Sequence, residues 1–388
     1  TSNPVVTHLK DCYVHGSETW LHTQIAHLRR HRAFVLANST KNLDRFDWIP
    51  SIYKTFGRPF LIRTIDRIGL RLLGYRPTFY YQSRRRETKL LHAHFGPTGY
   101  EAIPLARALG VPLVTTFYGF DLSMLPKEEP EWRQKYHFLF QEGDCFLVEG
   151  IHMRDTLISL GCEPEKIRVH HLGVRLDQLP FCERVREAET PLRVLSVGRF
   201  TEKKGFPDTI RAFGQFLKSG GKGVLTIVGG HRNSSRHQRF EQRLQNMVES
   251  FNMKDNVRFR GFIPLDRLVK EYLNHDILLA PSVTASNGDA EGGAPVALIE
   301  AAATGLPAIS TRHCDIPEVV QHGKTGLLAQ EHDVEALTTH LHYVFENPSF
   351  LREASLAARA HVKVEYDAVK QGHRLDKLYV SLQNTGVK

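Results

Sequence analysis

The chain has 388 residues, 41% of them hydrophobic, and a formal charge of +9, so it is long enough for two domains with separate cores. No run of about 18 apolar residues and no charged start with an apolar stretch is present, so we expect neither a membrane-spanning helix nor a secretory signal within this sequence. The five cysteines are odd in number and never spaced C-x-x-C, so we expect no disulfide framework, no zinc site and a cytoplasmic location.

Strand-like apolar runs alternate with helical patterns, which is typical of α/β folds with parallel sheets. In the first half the predicted strands are 4–9, 32–37, 88–93, 112–116, 144–148 and 167–170, and the main helices are 18–31 and 98–109. Ser17 is a candidate N-cap of the first helix. The charged, proline-flanked segment 180–191 is the predicted linker, so the first domain is expected to span 1–185.

Charged and polar residues follow several of these strands. Glu18 lies in the loop after the first strand, and Tyr118 and Asp121 follow the strand 112–116. His92 and His94 share one strand face, but no third metal ligand is evident, so we expect no metal site. Loops at the carboxyl ends of parallel strands bind ligands in doubly wound domains, and His94 at its strand end is therefore the better candidate of the two histidines.

A basic segment separates the second and third predicted strands. Residues 41–90 contain twelve Lys or Arg and four acids, and Arg63, Arg67 and Arg71 recur at steps of four. That spacing puts the three cations on one side of a helix rich in Leu and Ile, which either packs into the core or lies on an anionic membrane surface. The candidate membrane segment is 58–86. No recognition-helix or aromatic-interleaved motif accompanies the charge, so we expect no nucleic-acid partner.

A second series of strands begins after the linker and defines a predicted second domain, 190–364. Its strands are predicted at 192–198, 224–228, 257–260, 277–280, 307–310 and 326–328. Gly198 allows the backbone to turn after the first of these strands, and Arg199 and Lys204 follow it. Two cations at the carboxyl end of a parallel strand can neutralise a diphosphate.

The stretch 281–311 contains two carboxylates around a turn of small residues. Glu291 opens the turn and Glu300 follows it, and the residues between them include Gly292, Gly293, Ala294, Pro295 and Val296. Small residues leave backbone N–H groups bare at a helix N-terminus, where hydroxyls or anions are held. Pro295 fits the first helical position. The two carboxylates suit vicinal hydroxyls of two sugars; the alternative is a solvated loop before an Ala-rich core helix.

Together these motifs resemble the family-4 retaining glycosyltransferases. The stretch with Glu291 and Glu300 is similar to the family's donor-site signature, and Gly198, Arg199 and Lys204 fit its G-R-x-x-x-x-K-G motif. The resemblance covers nearly the whole chain. It implies the GT-B fold, an α/β fold of two facing Rossmann-like domains with a deep cleft, and a last helix at about 365–388 that crosses back onto the first domain.

The resemblance also implies roles for individual residues. Arg199 and Lys204 would clamp the diphosphate, Glu291 and the following amides would hold the donor sugar, and Glu300 would bind the ribose. The implied donor site comprises Gly198, Arg199, Lys204, Gly230, Phe262, Ile263, Glu291, Gly292, Gly293, Ala294, Pro295, Val296 and Glu300. The implied catalytic residues are Arg199, Lys204, Glu291 and His94, and the acceptor-side residues are Glu18, His94, Tyr118 and Asp121. No cofactor is implied, because the nucleotide-sugar, a UDP-sugar by family prior, is a substrate.

Two departures from the family pattern affect these roles. Glu291 and Glu300 are nine positions apart where the family usually has eight, so the contact of Glu291 could be displaced. Tyr118 stands where many members carry a histidine beside the donor sugar. A phenol donates a hydrogen bond but does not ionise near neutral pH, so a role that depends on protonation does not carry over.

The resemblance therefore implies a retaining, metal-independent hexosyltransferase of polysaccharide or glycoconjugate biosynthesis, acting on a saccharide or lipid-linked acceptor. We expect it in the cytoplasm or on the inner face of the membrane. Two other functions stay open: a sugar-nucleotide 2-epimerase of the same fold, and a non-enzymatic basic protein that binds anionic polysaccharide or membrane. The epimerase would form product without an acceptor, whereas the binding protein would be salt-sensitive and indifferent to Glu300.

Overall fold

The computed structural model describes residues 3–14, 18–230 and 235–384, with the backbone alone for 235–237, so the candidate cap Ser17 lies outside the described residues. The chain divides into two compact units. One comprises Thr1–Arg175 with Asp367–Lys388, and the other comprises Leu176–Tyr366. The division falls ten residues before the predicted end of the first domain, because residues 176–185 belong to the second unit.

The first unit is built on a seven-stranded sheet in the order β3-β2-β1-β4-β5-β6-β7, and all its neighbouring strands are parallel. The strands are β1 Val5–Tyr13, β2 Arg32–Thr40, β3 Ser51–Lys54, β4 Thr88–His94, β5 Leu113–Thr116, β6 Cys145–Val148 and β7 Ile167–Val169. All six predicted strands are confirmed. The edge strand β3 was missed because it is short and buries only Tyr53, so its sequence carries no apolar run.

Helices flank this sheet. They are α1 Thr19–Ala26, α2 Phe60–Leu73, α3 Pro77–Arg85, α4 Gly96–Leu109, α5 Phe120–Ser123, α6 Leu125–Glu128, α7 Glu131–Glu142 and α8 Ile151–Ser159. Single 3-10 turns occupy Leu43–Arg45 and Pro164–Lys166. The helix predicted at 18–31 ends at Ala26, five residues early, because the backbone N–H groups of Arg29 and Arg30 are bound by a distant carboxylate described below.

The second unit contains a six-stranded parallel sheet in the order β10-β9-β8-β11-β12-β13. Its strands are β8 Leu192–Gly198, β9 Gly223–Gly229, β10 Val257–Gly261, β11 Ile277–Ala280, β12 Ala308–Thr311 and β13 Gly326–Ala329. Its helices are α9 Phe206–Lys218, α10 Ser235–Ser250, α11 Leu265–Asn274, α12 Val296–Ala303, α13 Ile316–Val319, α14 Val334–Glu346 and α15 Pro348–Glu365, with a 3-10 turn at Glu202–Lys204. All six strands predicted in this half are confirmed.

Each unit has its own hydrophobic core, and the central strands are apolar on both faces because helices cover both sides of the sheet. In the second unit, the core gathers β8, β9 and β11 with α9 and α14, and its largest members include Phe206, Phe213 and Phe216. In the first unit, Phe117, Tyr136 and Phe146 fill the space between the sheet and α4 and α7. The expectation of two domains with separate hydrophobic cores is therefore confirmed.

The last helix, α16 Ala368–Asn384, packs on the first unit. The buried Asp376 carboxylate accepts hydrogen bonds from the backbone N–H groups of Arg29 and Arg30 at 2.7 and 3.0 Å, and it lies 2.8 Å from His31 Nδ1. Gly372 allows the close approach, since a Cβ there would lie 2.4 Å from the carbonyl oxygen of His27. Because these two backbone N–H groups donate to Asp376, they are not available for the helical hydrogen bonds that would have continued α1.

Candidate active site

The carboxyl ends of the strands in the second unit converge at one edge of its sheet. β8 lies beside β9 on one side and beside β11 on the other, so the strand order reverses between β8 and β11. Ligands bind at such switch points, in the crevice outside the carboxyl ends of the strands. Arg199 and Lys204 follow β8, and the loop 281–291 follows β11, so the sequence-predicted donor residues lie at the switch point.

The central feature of this edge is an ion pair between Lys204 and Glu291. Lys204 Nζ lies 2.8 Å from one carboxylate oxygen of Glu291 and 3.0 Å from the other. Ser282 donates a third hydrogen bond to the carboxylate at 2.9 Å. Burial alone would raise the pKa of Glu291, but Lys204, Lys203 and the hydrogen bonds outweigh it and lower the pKa, which keeps the carboxylate charged.

Close backbone contact holds the two halves of this pair together. Gly205 has φ +66°, and a Cβ at this position would lie 1.7 Å from the carbonyl oxygen of Pro281. Only glycine therefore fits here. Gly198 lies under the side chain of Lys204, where a Cβ would come within 3.2 Å of its Cγ and Cδ. The two glycines of the motif thus bring Lys204 against the loop after β11.

The remainder of the loop 281–291 is fixed by the residues just before Gly205. Glu202 accepts hydrogen bonds from Ser286 N and Oγ at 3.0 and 2.8 Å. The buried Lys203 binds the Asp289 carboxylate at 3.0 Å and the carbonyl oxygen of Ala290 at 2.9 Å. Lys203 is thus committed to the loop, whereas Lys204 reaches the carboxylate at the switch point.

Two residues that the sequence reasoning missed support Glu291 from behind. The backbone N–H of Glu291 donates to His313 Nε2 at 3.1 Å, and His313 Nδ1 lies 2.7 Å from Glu331. Glu331 also accepts from Thr284 N at 2.7 Å, which ties it to the same loop. Both residues follow strands of this sheet, β12 and β13, so their position after a predicted strand was the signal that could have identified them.

The turn between the two carboxylates ends at α12, which begins at Val296. Pro295 therefore lies one residue before the helix, and its prediction as the first helical residue is wrong by one position. Gly292 has φ +76°, a left-handed conformation that favours glycine. Gly292 and Gly293 are buried, whereas Ala294 and Pro295 are half-buried.

Glu300 lies in the second turn of α12. Its carboxylate accepts a hydrogen bond from the Tyr272 hydroxyl at 3.1 Å. Burial raises the pKa of Glu300 to about 7, and the Tyr272 hydrogen bond offsets only part of that effect. Among the residues that the structure describes, no cation binds this carboxylate as Lys204 binds Glu291, so nothing opposes the effect of burial except Tyr272.

The remaining donor candidates follow three adjacent strands of the sheet. The exposed Arg199 follows β8, Gly230, with φ +118°, follows β9, and Phe262 and Ile263 follow β10. Phe262 is 59% exposed, so its ring is available to a flat ligand such as a base. The parallel sheet therefore brings the predicted donor residues of this half to one edge.

The candidates of the first unit also gather at a carboxyl edge, that of β1, β4 and β5. His94 Nδ1 lies 2.7 Å from the Tyr118 hydroxyl, and the ring of Tyr118 packs 4.2 Å from Trp20. Asp121 is fully buried and accepts from Gly96 N and Tyr118 N at 2.9 and 3.0 Å. Burial raises the pKa of Asp121 to about 6, although these N–H groups oppose the change. Both of its oxygens hold backbone, so Asp121 orders the loop.

Glu18 reaches the same edge through a lysine that the sequence reasoning did not single out. Lys10 Nζ lies 3.4 Å from Glu18 and 3.7 Å from the centre of the Phe95 ring. Phe95 packs 4.8 Å from Tyr118 and has φ +75°, which is unusual for a bulky residue. Burial lowers the pKa of Lys10 and Glu18 opposes that effect, so the pair provides local charge balance.

A third histidine, His8, joins His92 and His94. One ring nitrogen from each of the three buried residues lies within 4.8 Å of the others, so the reason given for expecting no metal site, the missing third ligand, does not hold. All of these ring nitrogens except His8 Nε2 nevertheless have protein partners. Both ring nitrogens of His92 lie 2.6 Å from hydroxyls, those of Tyr379 and Thr116, and both nitrogens of His94 are hydrogen-bonded. The sequence could not place His8, which lies 84 residues before His92.

Comparison with known proteins identifies the family and the fold. Residues 181–361 match the family described as glycosyl transferases group 1, and residues 14–178 match glycosyltransferase family 4. The chain therefore belongs to the glycosyl transferases group 1, of the family 4 type. It is 38% identical over 286 residues to the putative colanic acid biosynthesis glycosyltransferase WcaL of Escherichia coli, covering 72% of this chain and 66% of that protein. It is 37% identical over 278 residues to the amylovoran biosynthesis glycosyltransferase AmsK of Erwinia amylovora, covering 71% and 65%.

The chain thus spans about two thirds of the length of these curated relatives, 66% and 65%. Among solved structures, the sucrose-phosphate synthase of Thermosynechococcus elongatus superposes with a TM-score of 0.78 at 18% identity, covering 99% of this chain and 100% of that one. HepE of Anabaena in complex with UDP and glucose gives 0.75 at 16% identity, covering 97% and 99%. These matches confirm the expected GT-B fold of two Rossmann-like domains.

The close approach at Gly205 predicts a specific loss on adding a methyl group. We expect Gly205→Ala to displace Pro281 and separate Lys204 from Glu291, because the new Cβ would lie 1.7 Å from a backbone oxygen. Gly220→Ala is the matched control, since Gly220 also has positive φ but has no atom within 4 Å of such a Cβ. The control should lose about 1 kcal/mol of unfolding free energy from strain alone. Equal losses in the two variants, measured by denaturant unfolding, would contradict the packing argument.

The raised pKa of Glu300 predicts a pH-dependent stability. The folded protein holds the proton up to about pH 7, whereas the unfolded chain releases it near the ordinary value of 4.5. The stability contributed by Glu300 is therefore greatest below pH 4.5 and falls as the pH rises to about 7. Glu300→Gln removes this fall, so its midpoint of thermal unfolding relative to the parent should rise across that window. The exposed Glu189→Gln is the control, and an equally flat difference for both variants would refute the shift.

Proposed function

We propose that this protein is a retaining glycosyltransferase of polysaccharide biosynthesis that moves a hexose from a nucleotide diphosphate to a hydroxyl of a saccharide or lipid-linked acceptor. The observation that carries the proposal is the Lys204–Glu291 ion pair at the switch point, with Glu300 on the helix that follows. The names of WcaL and AmsK support the polysaccharide setting. A UDP-sugar is the first donor to test, because HepE has been solved with UDP and glucose.

The donor-side roles follow from the charge and position of each group. Arg199 is exposed after β8, and Lys204 reaches the switch point, so the two cations would neutralise the diphosphate without a metal ion. Glu291 and the small residues after it would accept and donate hydrogen bonds to the hydroxyls of the donor sugar. Glu300 would accept from the ribose hydroxyls. Lys204 would exchange part of its contact with Glu291 for the diphosphate.

In the proposed reaction, the bond from the sugar C1 to the diphosphate oxygen breaks while the acceptor oxygen bonds C1 on the same face. The acceptor proton passes to the departing phosphate oxygen, so no side chain is required as nucleophile. Lys204 and Arg199 would stabilise the negative charge that develops on the leaving group, which is usually the largest catalytic contribution. On the acceptor side, we propose Tyr118 and Glu18 as substrate contacts and Asp121 as the residue that orders their loop. His94 was expected to contact the substrate, but it is fully buried and both its ring nitrogens are hydrogen-bonded within the protein, so we propose that it acts behind Tyr118.

Nucleotide binding and turnover test this function together. We expect one of UDP, GDP and ADP to bind in calorimetry, and sugar to be transferred only when an acceptor is present. Lys204→Ala should lower turnover by roughly 10²–10³ by analogy with loss of an oxyanion-hole donor. Lys222→Ala, at an exposed surface ion pair of the same unit, should leave it unchanged.

Other outcomes identify the alternatives. Product formed from the nucleotide-sugar alone, without an acceptor, would instead favour the epimerase. The absence of binding by any of the three nucleotides would contradict the transferase proposal and favour a basic surface-binding protein. Equal losses of turnover in Lys204→Ala and Lys222→Ala would remove Lys204 from the proposed leaving-group site.

We propose further that α2 holds the protein on an anionic membrane surface. The helix buries Asp66 and Gly69 against the unit, the latter next to Pro77. Its stripe of Leu61, Ile65, Ile68 and Leu72, spaced i, i+4, i+7 and i+11, is instead 46–78% exposed. These four side chains therefore do not pack into the core, whereas the apolar stripe of an amphipathic surface helix normally does.

The charges of α2 favour a lipid surface over a protein groove. Arg63, Arg67 and Arg71 are all exposed and continue along the helix beside the apolar stripe. No described helix is long and apolar enough to cross a membrane. An amphipathic helix with this combination lies in the interface, with its apolar side chains among the acyl chains and its cations at anionic headgroups. The expected location on the inner face of the membrane follows from this proposal.

Vesicle sedimentation tests the membrane proposal. We expect binding to vesicles of phosphatidylglycerol and phosphatidylcholine, weakened at high salt. Reversing Arg63, Arg67 and Arg71 to Glu should release the protein, since each cation contributes about 1 kcal/mol at such a surface. A variant with Lys218, Lys222 and Lys254 reversed has the same net charge and should still bind. Equal release of both variants, or no binding by the parent protein, would rule out α2 as the anchor.

A further inference from the structure

Three imidazoles are buried together under the candidate acceptor edge of the first unit. β1 and β4 are parallel neighbours, and His8 pairs in register with His92. His94 lies two residues further on the same face. All three side chains are at most 1% exposed, although buried histidines are uncommon without a partner for each nitrogen.

Two of these histidines form a hydrogen-bond chain that ends on Tyr118. His8 Nδ1 lies 3.1 Å from His94 Nε2, and His94 Nδ1 lies 2.7 Å from the Tyr118 hydroxyl. His8 Nε2 is buried and has no hydrogen-bond partner among the described residues. His92 is separate from the chain because its two nitrogens lie against the hydroxyls of Tyr379 and Thr116. The chain therefore has one blind end, at His8, and one half-buried end, at Tyr118.

The imidazoles of the chain are neutral. Burial lowers the pKa of His8 to about 3, with a smaller contribution from His31, and burial likewise lowers the pKa of His94 well below its ordinary value. A neutral imidazole carries one N–H and one lone pair. The chain can therefore have only two arrangements, in which every hydrogen bond points toward Tyr118 or every one points away from it.

The blind end decides between the two arrangements. If Tyr118 donated to His94, then His94 would donate to His8, and His8 would carry its proton on Nε2 as a buried N–H without an acceptor. In the opposite arrangement Nε2 is a bare lone pair. Orphaned buried N–H groups are the rarer of the two in folded proteins. In the second arrangement the O–H of the half-buried Tyr118 is not donated to His94.

We infer that His8 and His94 fix Tyr118 as a hydrogen-bond donor to an oxygen of the sugar substrate. His8 donates through Nδ1 to His94, and His94 donates through Nδ1 to the phenolic oxygen, so the Tyr118 proton points away from His94. Burial raises the pKa of Tyr118, whereas a hydrogen bond between Thr116 and this hydroxyl lowers it, which is the effect of a donor, so the proton is directed to a ligand. His8 is then a positioning residue that acts through His94. The inference rests on the proposed glycosyl transfer for the identity of the ligand, but the direction of the chain does not depend on it.

Nitrogen NMR of protein labelled in its histidines tests the direction of the chain. We expect His8 and His94 to be protonated on Nδ1 and unprotonated on Nε2, assigned by comparison with His8→Asn and with a His94→Gln variant. A proton on Nε2 of His94 would overturn the inference, because Tyr118 would then donate into the protein. This measurement needs no substrate, so its result is independent of whether sugar transfer occurs.

Kinetics tests the consequence for the substrate. Tyr118→Phe should lower kcat/KM about tenfold, as expected for loss of one neutral hydrogen bond of about 1.4 kcal/mol. His8→Phe should cause a similar loss, and His8→Asn should restore most of it, because the amide keeps an N–H near the Nδ1 position. His22→Phe is the matched control, since His22 Nδ1 bonds the Tyr13 hydroxyl at 2.9 Å in the same unit without joining the chain.

Three outcomes would contradict the positioning role. If His8→Asn were as impaired as His8→Phe, or His22→Phe lost as much kcat/KM, the effect would be one of folding stability. Zinc binding is a further check. If the parent protein bound one equivalent of Zn²⁺ and His8→Phe did not, the proposed hydrogen-bond chain would be wrong. A metal would take the lone pairs that the chain uses.

Discussion

The second unit depends on one close backbone approach, that of Gly205 to Pro281. Because no side chain fits between them, the turn after β8 lies directly against the loop after β11. Each of the four residues 202–205 then holds a different part of the loop 281–291, by hydrogen bonds, ion pairs or direct contact. A long loop without regular structure would otherwise sample many conformations. Its register is set here by consecutive residues, which places a carboxylate opposite Lys204 at the switch point.

Both units bury ionisable side chains at or beneath the carboxyl edge of their sheet, but the second unit keeps Glu291 charged whereas the first keeps its histidines neutral. In the second unit, Glu291 is kept charged because Lys204 and the Ser282 hydroxyl bind its carboxylate and the charge of Lys203 lies nearby. In residues 3–14, 18–175 and 367–384 of the first unit no carboxylate acts on His8 and His94 in this way, and burial keeps the imidazoles neutral. Charge in one unit suits the proposed diphosphate donor, and a neutral hydrogen-bond chain suits a hydroxyl. Glu300 is intermediate: burial raises its pKa to about 7, and Tyr272 is the one hydrogen-bond partner of its carboxylate within the described part of the chain.

Much of the fold and of the donor site could be predicted, because both follow from local patterns. Apolar runs marked twelve of the thirteen strands, and residues at strand ends marked the candidate site, since parallel strands share one carboxyl edge. Residues that act through distant pairing could not be predicted. His8 meets His94 only through the register of β1 and β4, and the early end of α1 is caused by Asp376 near the end of the chain. No spacing in the sequence encodes either contact.

The helix α2 shows that hydrophobic periodicity predicts which residues share one side of a helix, but not whether that side packs into the core or is exposed. The pattern of Leu61, Ile65, Ile68 and Leu72 is the one that a core-facing helix would have, and the sequence left both readings open. What decides is where the smallest residue lies: Gly69 takes the contact with Pro77, where a Cβ would come within 2.2 Å, so the helix is turned with its apolar stripe outward. A single glycine thereby converts a pattern typical of a core helix into an exposed apolar surface beside three arginines. Such a surface in water is unfavourable unless it is covered. The proposed anionic lipid surface would compensate both its apolar and its positively charged parts.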